Sequence, residues 1–109
     1  MPIDVLLEAS VQRQFDKAPK HVRDALRTLA PKLASDPQWG EYVSPKQVPN
    51  KRTLQKWERR VGPMANLYKL ELPRAWRALY TTKSRGSERV VMVLEVVDHK
   101  EYDRLMGYA

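Results

Sequence analysis

The chain has 109 residues, 42% apolar and 30% charged, which suits one soluble domain spanning 1–109 and excludes a disordered chain. The longest apolar run, Val90 to Leu94, is too short to cross a bilayer, and the first residues lack the basic-then-apolar pattern of an export signal. With no cysteine and only His21 and His99 as imidazoles, no disulfide framework, iron–sulfur cluster or thiolate zinc site is expected, and no metal or other cofactor; a reducing, cytoplasmic setting fits.

The formal charge of +7 is concentrated in the middle of the chain. Residues 1–44 balance six basic groups against six acidic ones. Residues 45–89 carry twelve basic and three acidic groups, net +9, and residues 90–109 come to −2. Lys46, Lys51, Arg52, Lys56, Arg59 and Arg60 are the densest part. Such a block suits a polyanion, because each neutralised phosphate releases condensed counterions. On charge alone, a merely solvated surface fits equally well.

In chain order, Ile3, Val5 and Leu7 alternate with other residues and predict a short first strand. Ser10 can cap a helix whose Val11, Phe15 and Ala18 fall at helical spacing. Val22, Ala25, Leu26, Leu29 and Leu33 predict a second helix from Lys20 to about Ser35. Pro31 lies inside it and predicts a kink or break, since its ring meets the Arg27 carbonyl. Residues 40–52, with Gly40, Pro45, Pro49 and Asn50, read as an irregular basic loop. Leu54, Trp57 and Val61 allow one or two helical turns before Gly62-Pro63.

The second half reads as sheet, with β-rich runs at Asn66–Leu72, Trp76–Thr82 and Arg89–Val97. Setting Leu72 opposite Trp76 places Leu70 opposite Ala78 and Tyr68 opposite Tyr80, with the large apolar groups on one face. Setting Tyr80 opposite Met92 continues that face through Leu94 and Val96. The other face then carries Lys69, Glu71, Arg77 and Glu95, with Arg77 between the two glutamates. Asp98 followed by Glu101 resembles a capping box for a last helix with Tyr102, Leu105 and Met106 inward and Gly107 as its stop. His99 stands where the third run ends and that helix begins, beside the charged face.

Two readings of that face are open. A cross-strand ladder of alternating charges is ordinary on an open antiparallel face, each pair contributing about 0.2–1 kcal/mol. Alternatively, a fixed arginine and lysine meet a phosphate there, with a carboxylate or histidine at hand for proton transfer. The expected class is α+β: a short N-terminal strand and two helices packed on a mainly antiparallel sheet, with a short C-terminal helix.

The blocks 66–73 (NLYKLELP), 76–80 (WRALY) and 93–103 (VLEVVDHKEYD), with 32–37 (KLASDP) followed by Gly40, resemble in order and spacing the RelE/ParE toxin superfamily. That resemblance implies a toxin of a type II toxin–antitoxin pair that cuts mRNA without a metal, often on the ribosome. In that chemistry the 2′-hydroxyl attacks the adjacent phosphate, leaving a cyclic phosphate and a 5′-hydroxyl. It needs a base, cations for the crowded phosphorane and an acid for the leaving oxygen. By position, Arg77 matches the family's phosphate-binding arginine and Lys69 its strand lysine. His99, Lys100 and Tyr102 fall in the block where members place a His, Arg or Tyr, and Tyr108 near the terminus offers a ring or hydroxyl. Glu71 stands where several active members have a second cation. It fits a base paired with His99, and equally an inactive nuclease.

The leading expectation is therefore an RNA endonuclease with Arg77, Lys69, His99, Glu71 and Tyr102 as catalytic residues. Lys46, Lys51, Arg52, Lys56, Arg59, Lys100 and Tyr108 would bind RNA. Trp57 among these cations either stacks a base or packs into the core beside Leu54 and Val61. The resemblance also implies a cognate antitoxin, expected to be acidic and encoded nearby, in a toxin–antitoxin complex. The rival is a non-catalytic protein on this fold, an RNA-binding module or a gyrase-poison-type toxin.

Overall fold

Apolar residues at 3.6-residue spacing build the first helical layer. The computed structural model describes residues 4–7, 9–86 and 88–107. After strand β1 (Asp4–Leu7) come α1 (Ala9–Lys17) and α2 (Lys20–Ser35), which bury Val11, Phe15, Val22, Leu26 and Leu33. Ser10 lies inside α1 rather than capping it. The helix α2 runs through Pro31 without a break; Pro31 is on the exposed side, where a carbonyl left without its intrahelical donor can bond water.

A two-residue strand β2 (Glu41–Tyr42) and a 3₁₀ turn at Pro45–Gln47 occupy part of the segment expected to be irregular. Helix α3 (Lys51–Val61) follows, longer than expected because Asn50 caps it, its side chain accepting from the Arg52 N–H at 2.9 Å. Strands β3 (Tyr68–Glu71), β4 (Arg77–Arg85) and β5 (Glu88–Val97) and helix α4 (His99–Met106) complete the chain.

The five strands lie in the order β1-β5-β4-β3-β2, antiparallel except that β1 runs parallel to β5. The α+β class is as expected. So is the first hairpin: Tyr68 faces Tyr80, Leu70 faces Ala78, and the Leu72 N–H donates to the Trp76 carbonyl at 2.8 Å. Its turn holds Arg74 and Ala75 at φ 57° and 63°, a left-handed region costly to side chains with a Cβ. Ala75→Gly is expected to stabilise the protein by about 0.5–1 kcal/mol, relief of strain outweighing added chain entropy, read as a higher midpoint in denaturant.

The β4–β5 register differs from the expectation. Tyr80 faces Val93 rather than Met92, and a bulge shifts the pairing so that Leu79 faces Glu95 and Ala78 faces Val96. Leu94 is the extra residue. Arg77 therefore lies opposite Glu71 on one side, as expected, and opposite Val97 on the other, not Glu95.

The bulge also redistributes side chains between the faces. Tyr68, Leu70, Ala78, Tyr80, Val91, Val93 and Val96 pack under α1 and α2. Leu79, Leu94 and Val97 form a second core with Val43, Val48, Leu67, Trp57 of α3, and Tyr102 and Met106 of α4. The second face, expected to be open, is covered except at one end, where β3 finishes and β4 begins.

Candidate functional site

Three local features build that end. The turn at Pro73–Ala75 returns the chain so that Arg77 stands beside Glu71. Glu41 pairs with Lys69 across β2 and β3. The Asp98 side chain accepts from the Glu101 N–H at 2.9 Å and starts α4 directly after β5, setting His99 in its first turn. Gly107 ends the helix at φ 75°, as the sequence predicts.

The side chains converge. Lys69 Nζ lies 3.2 Å from Glu71 Oε1 and 3.0 Å from Glu41 Oε2. Arg77 Nε is 3.4 Å from the same Glu71 oxygen, and Arg77 Nη1 is 3.1 Å from His99 Nδ1. His99 Nε2 in turn meets Asp103 Oδ2 at 3.0 Å. Tyr102 is buried and its ring forms the floor, with the Arg77 guanidinium carbon 4.6 Å and Lys69 Nζ 5.7 Å from its centroid. Lys69 and Arg77 are mostly buried, at 17% and 16% side-chain exposure, while Glu71, Glu41 and His99 face solvent.

These partners restrict what each group can do. A guanidinium only donates, so His99 Nδ1 must be its acceptor, leaving the proton on Nε2 for Asp103. His99 thus turns the Nδ1 lone pair toward Arg77 and Nε2 toward Asp103. Burial works against the Lys69 charge, but the hydrogen bonds it donates to Glu41 and Glu71, with the Tyr102 and Glu71 charges, outweigh it and raise its pKa above the usual 10.5. Burial likewise opposes ionisation of Glu71, but the Lys69 hydrogen bond and the Arg77 and Lys69 charges lower its pKa below 4.5. Lys69 is therefore a standing cation rather than a base, and Glu71 a weak base at neutrality.

The signs of these shifts predict a pH window. Glu71, with a depressed folded pKa, contributes stability that is present above its unfolded pKa and lost as pH falls through the folded one. Lys69, with a raised pKa, contributes stability that is full below its unfolded pKa and lost as pH rises through the folded one. Thermal melts of wild type and Glu71→Gln should therefore differ at neutral pH and converge on acidification below pH ~4. A difference that persists in acid would show that Glu71 acts through packing instead.

The structure brings Arg77, Lys69, Glu71, His99 and Tyr102 together. Lys100 is exposed on the first turn of α4. Lys51, Arg52, Lys56 and Arg59 are exposed on α3, and Lys46 on the 3₁₀ turn before it. Because Trp57 of α3 and Tyr102 of α4 share one core, these cations border the covered face of the sheet that ends at the site. Trp57 is fully buried, which leaves it no base to stack. Glu95 is buried too and belongs to a different network, accepting from Trp57 Nε1 at 3.0 Å and from Gln14 Nε2 at 2.5 Å. Tyr108 lies outside the described residues.

Sequence reasoning missed Glu41 and Asp103. Asp103 had a signal: it stands four residues after His99 on a predicted helix, where side chains meet. Glu41 had none, since its partner is set by a strand pairing 28 residues apart in sequence. Among the described residues, no three His, Asp or Glu side chains form a group able to hold a metal, and no helix is long and apolar enough to cross a membrane.

No protein-family model matches the chain, nor does any curated protein sequence. Its fold, however, is that of RelE. The E. coli toxin RelE in the free state, a variant with two arginines replaced by alanine, is similar with a TM-score of 0.60 over 99% of this chain and 97% of that one. At 15% sequence identity the likeness is one of fold.

Proposed function

We propose that the chain is an endoribonuclease toxin of a type II toxin–antitoxin pair, cutting mRNA on the ribosome without a metal. The observation that carries this reading is the Arg77–His99–Asp103 arrangement, a phosphate-gripping fork against an imidazole whose tautomer is held by a carboxylate. A scissile phosphate drawing Arg77 to itself frees His99 Nδ1 to take the 2′-hydroxyl proton. The 2′-oxygen then bonds to phosphorus, the bond from phosphorus to the 5′-oxygen breaks, and water protonates the leaving oxygen. Lys69, kept charged by Glu41 and Glu71, offsets the charge on the phosphorane.

Purified protein with mRNA, with and without ribosomes and with a chelator present, tests this. Cleavage leaving a cyclic phosphate and a 5′-hydroxyl is expected. Affinity for RNA should fall steeply between about 50 and 200 mM salt as the α3 cations lose their counterion-release advantage. An affinity insensitive to salt would count against the basic face as the RNA contact. The partner expected is an acidic antitoxin segment that covers Arg77, with co-purification of the two proteins after co-expression as the check.

A second reading has its own observation. Glu41 and Glu71 neutralise Lys69 and Arg77 in the resting site, which suits a non-catalytic binding protein on this fold. Absence of cleavage on ribosomes, with binding retained, would select it.

A further inference from the structure

Glu71 sits where the cleavage chemistry needs an oxygen of the substrate. A single oxygen of its carboxylate, Oε1, accepts from Lys69 Nζ at 3.2 Å and from Arg77 Nε at 3.4 Å. A phosphate oxygen held by the same two donors would take the same place. The carboxylate is also the movable member of the group. Its side chain, at the end of β3, is 58% exposed, whereas Lys69 and Arg77 are mostly buried.

The two cations do not depend on Glu71 to stay where they are. Glu41 Oε2 holds Lys69 Nζ at 3.0 Å. Arg77 keeps the Tyr102 ring 4.6 Å beneath it, with His99 Nδ1 at 3.1 Å and the Ala75 carbonyl oxygen at 3.4 Å from its Nη1. Turning Glu71 out into water therefore uncovers the Arg77 Nε–H and one Lys69 ammonium proton without releasing either side chain.

We propose that Glu71 is an internal stand-in for the scissile phosphate, covering Lys69 and Arg77 at rest and displaced when RNA arrives. This rests on the ribonuclease reading and deepens it, since it says which anions the site admits. Carboxylate and phosphodiester oxygens are both charged acceptors, so the same donors serve either. A tethered carboxylate meets these donors at high effective concentration, which a small free anion cannot match. An RNA strand also engages the cations of α3, so its phosphate arrives tethered too and competes on equal terms. The site is thereby closed to mononucleotides and inorganic phosphate and open to a polymer.

The test is anisotropy with a short fluorescent RNA whose nucleophilic 2′-hydroxyl is methylated, together with cleavage of the unmodified strand. Glu71→Gln keeps the size of the side chain and removes its charge. It should tighten RNA binding roughly 2- to 30-fold, because two part-exposed ion pairs no longer have to be broken. With RNA limiting, cleavage should speed up by a similar factor. Glu58→Gln, the same loss of charge on α3, should gain less, which separates displacement from net charge. Inorganic phosphate should compete with RNA more strongly in Glu71→Gln than in wild type. Unchanged affinity in Glu71→Gln, or equal gains in the two variants, would overturn the stand-in and leave the ribonuclease reading standing. Cleavage that collapses in Glu71→Gln at unchanged affinity would overturn it as well, by making Glu71 the base. Wild type that binds no RNA at low salt would overturn the ribonuclease reading itself.

Discussion

Arg77→Ala is expected to slow single-turnover RNA cleavage by about 10²–10³-fold while leaving the melting temperature near that of wild type. The rate loss follows from position. Arg77 is mostly buried, lies over the Tyr102 ring, and is tied by Glu71 at 3.4 Å and His99 at 3.1 Å. Its fork is thereby held ready to grip two phosphate oxygens, which a lysine at the same place cannot do. Arg77→Lys should therefore recover only part of the rate. The stability of the alanine variant follows from the same contacts. Arg77 belongs to neither core, and its departure leaves Glu71 exposed to water and still paired with Lys69. His99→Ala should be milder, and Asp103→Asn should alter the pH profile by loosening the tautomer that Asp103 holds. Equal rates for wild type and Arg77→Ala would remove Arg77 from the mechanism.

What was legible in the sequence was the part governed by local period. The α1 and α2 stripes follow from 3.6-residue spacing. The β3–β4 register follows from alternation, because a one-residue slip would turn Tyr68, Leu70 and Tyr80 to the wrong face. The Leu94 bulge was not legible, since an extra residue in one strand leaves both flanking patterns intact while changing their phase. That single residue moved Glu95 from beside Arg77 into the core. The cover over the second face was hidden for a related reason. Val43 and Val48 reach that core from a segment with no periodicity. Lys69, Glu71 and Arg77 could be placed together from the hairpin alone, and His99 from the capping pattern. Glu41 required knowledge of a strand too short to announce itself.

The buried position of Glu95 leads to the second large effect. Trp57 is fully buried and is the one buried side chain of α3, so it docks that helix on the sheet. Trp57→Ala should cost about 3–5 kcal/mol, a large share of the ~5–15 kcal/mol typical of a domain. The indole does more than fill space, because its N–H donates to Glu95 Oε1 at 3.0 Å. Gln14 of α1 donates to the other Glu95 oxygen and accepts the Val96 N–H at 3.1 Å, so one carboxyl group links α1, β5 and α3. Trp57→Phe keeps most of the ring but takes the indole donor from buried Glu95 Oε1, leaving that oxygen the Lys56 ammonium at 4.0 Å. It should cost about 1.5–3 kcal/mol beyond the lost ring volume. The functional consequence lies in the cations that the same helix carries. Lys51, Arg52, Lys56 and Arg59 are presented by α3, so a loosened helix should weaken RNA affinity while leaving the Arg77–His99 contact in place. Denaturant melts together with amide exchange across 51–61 check both halves. Faster exchange confined to α3 in Trp57→Phe is the expected result, and unchanged exchange and stability would show that the Glu95 link does not hold the basic helix.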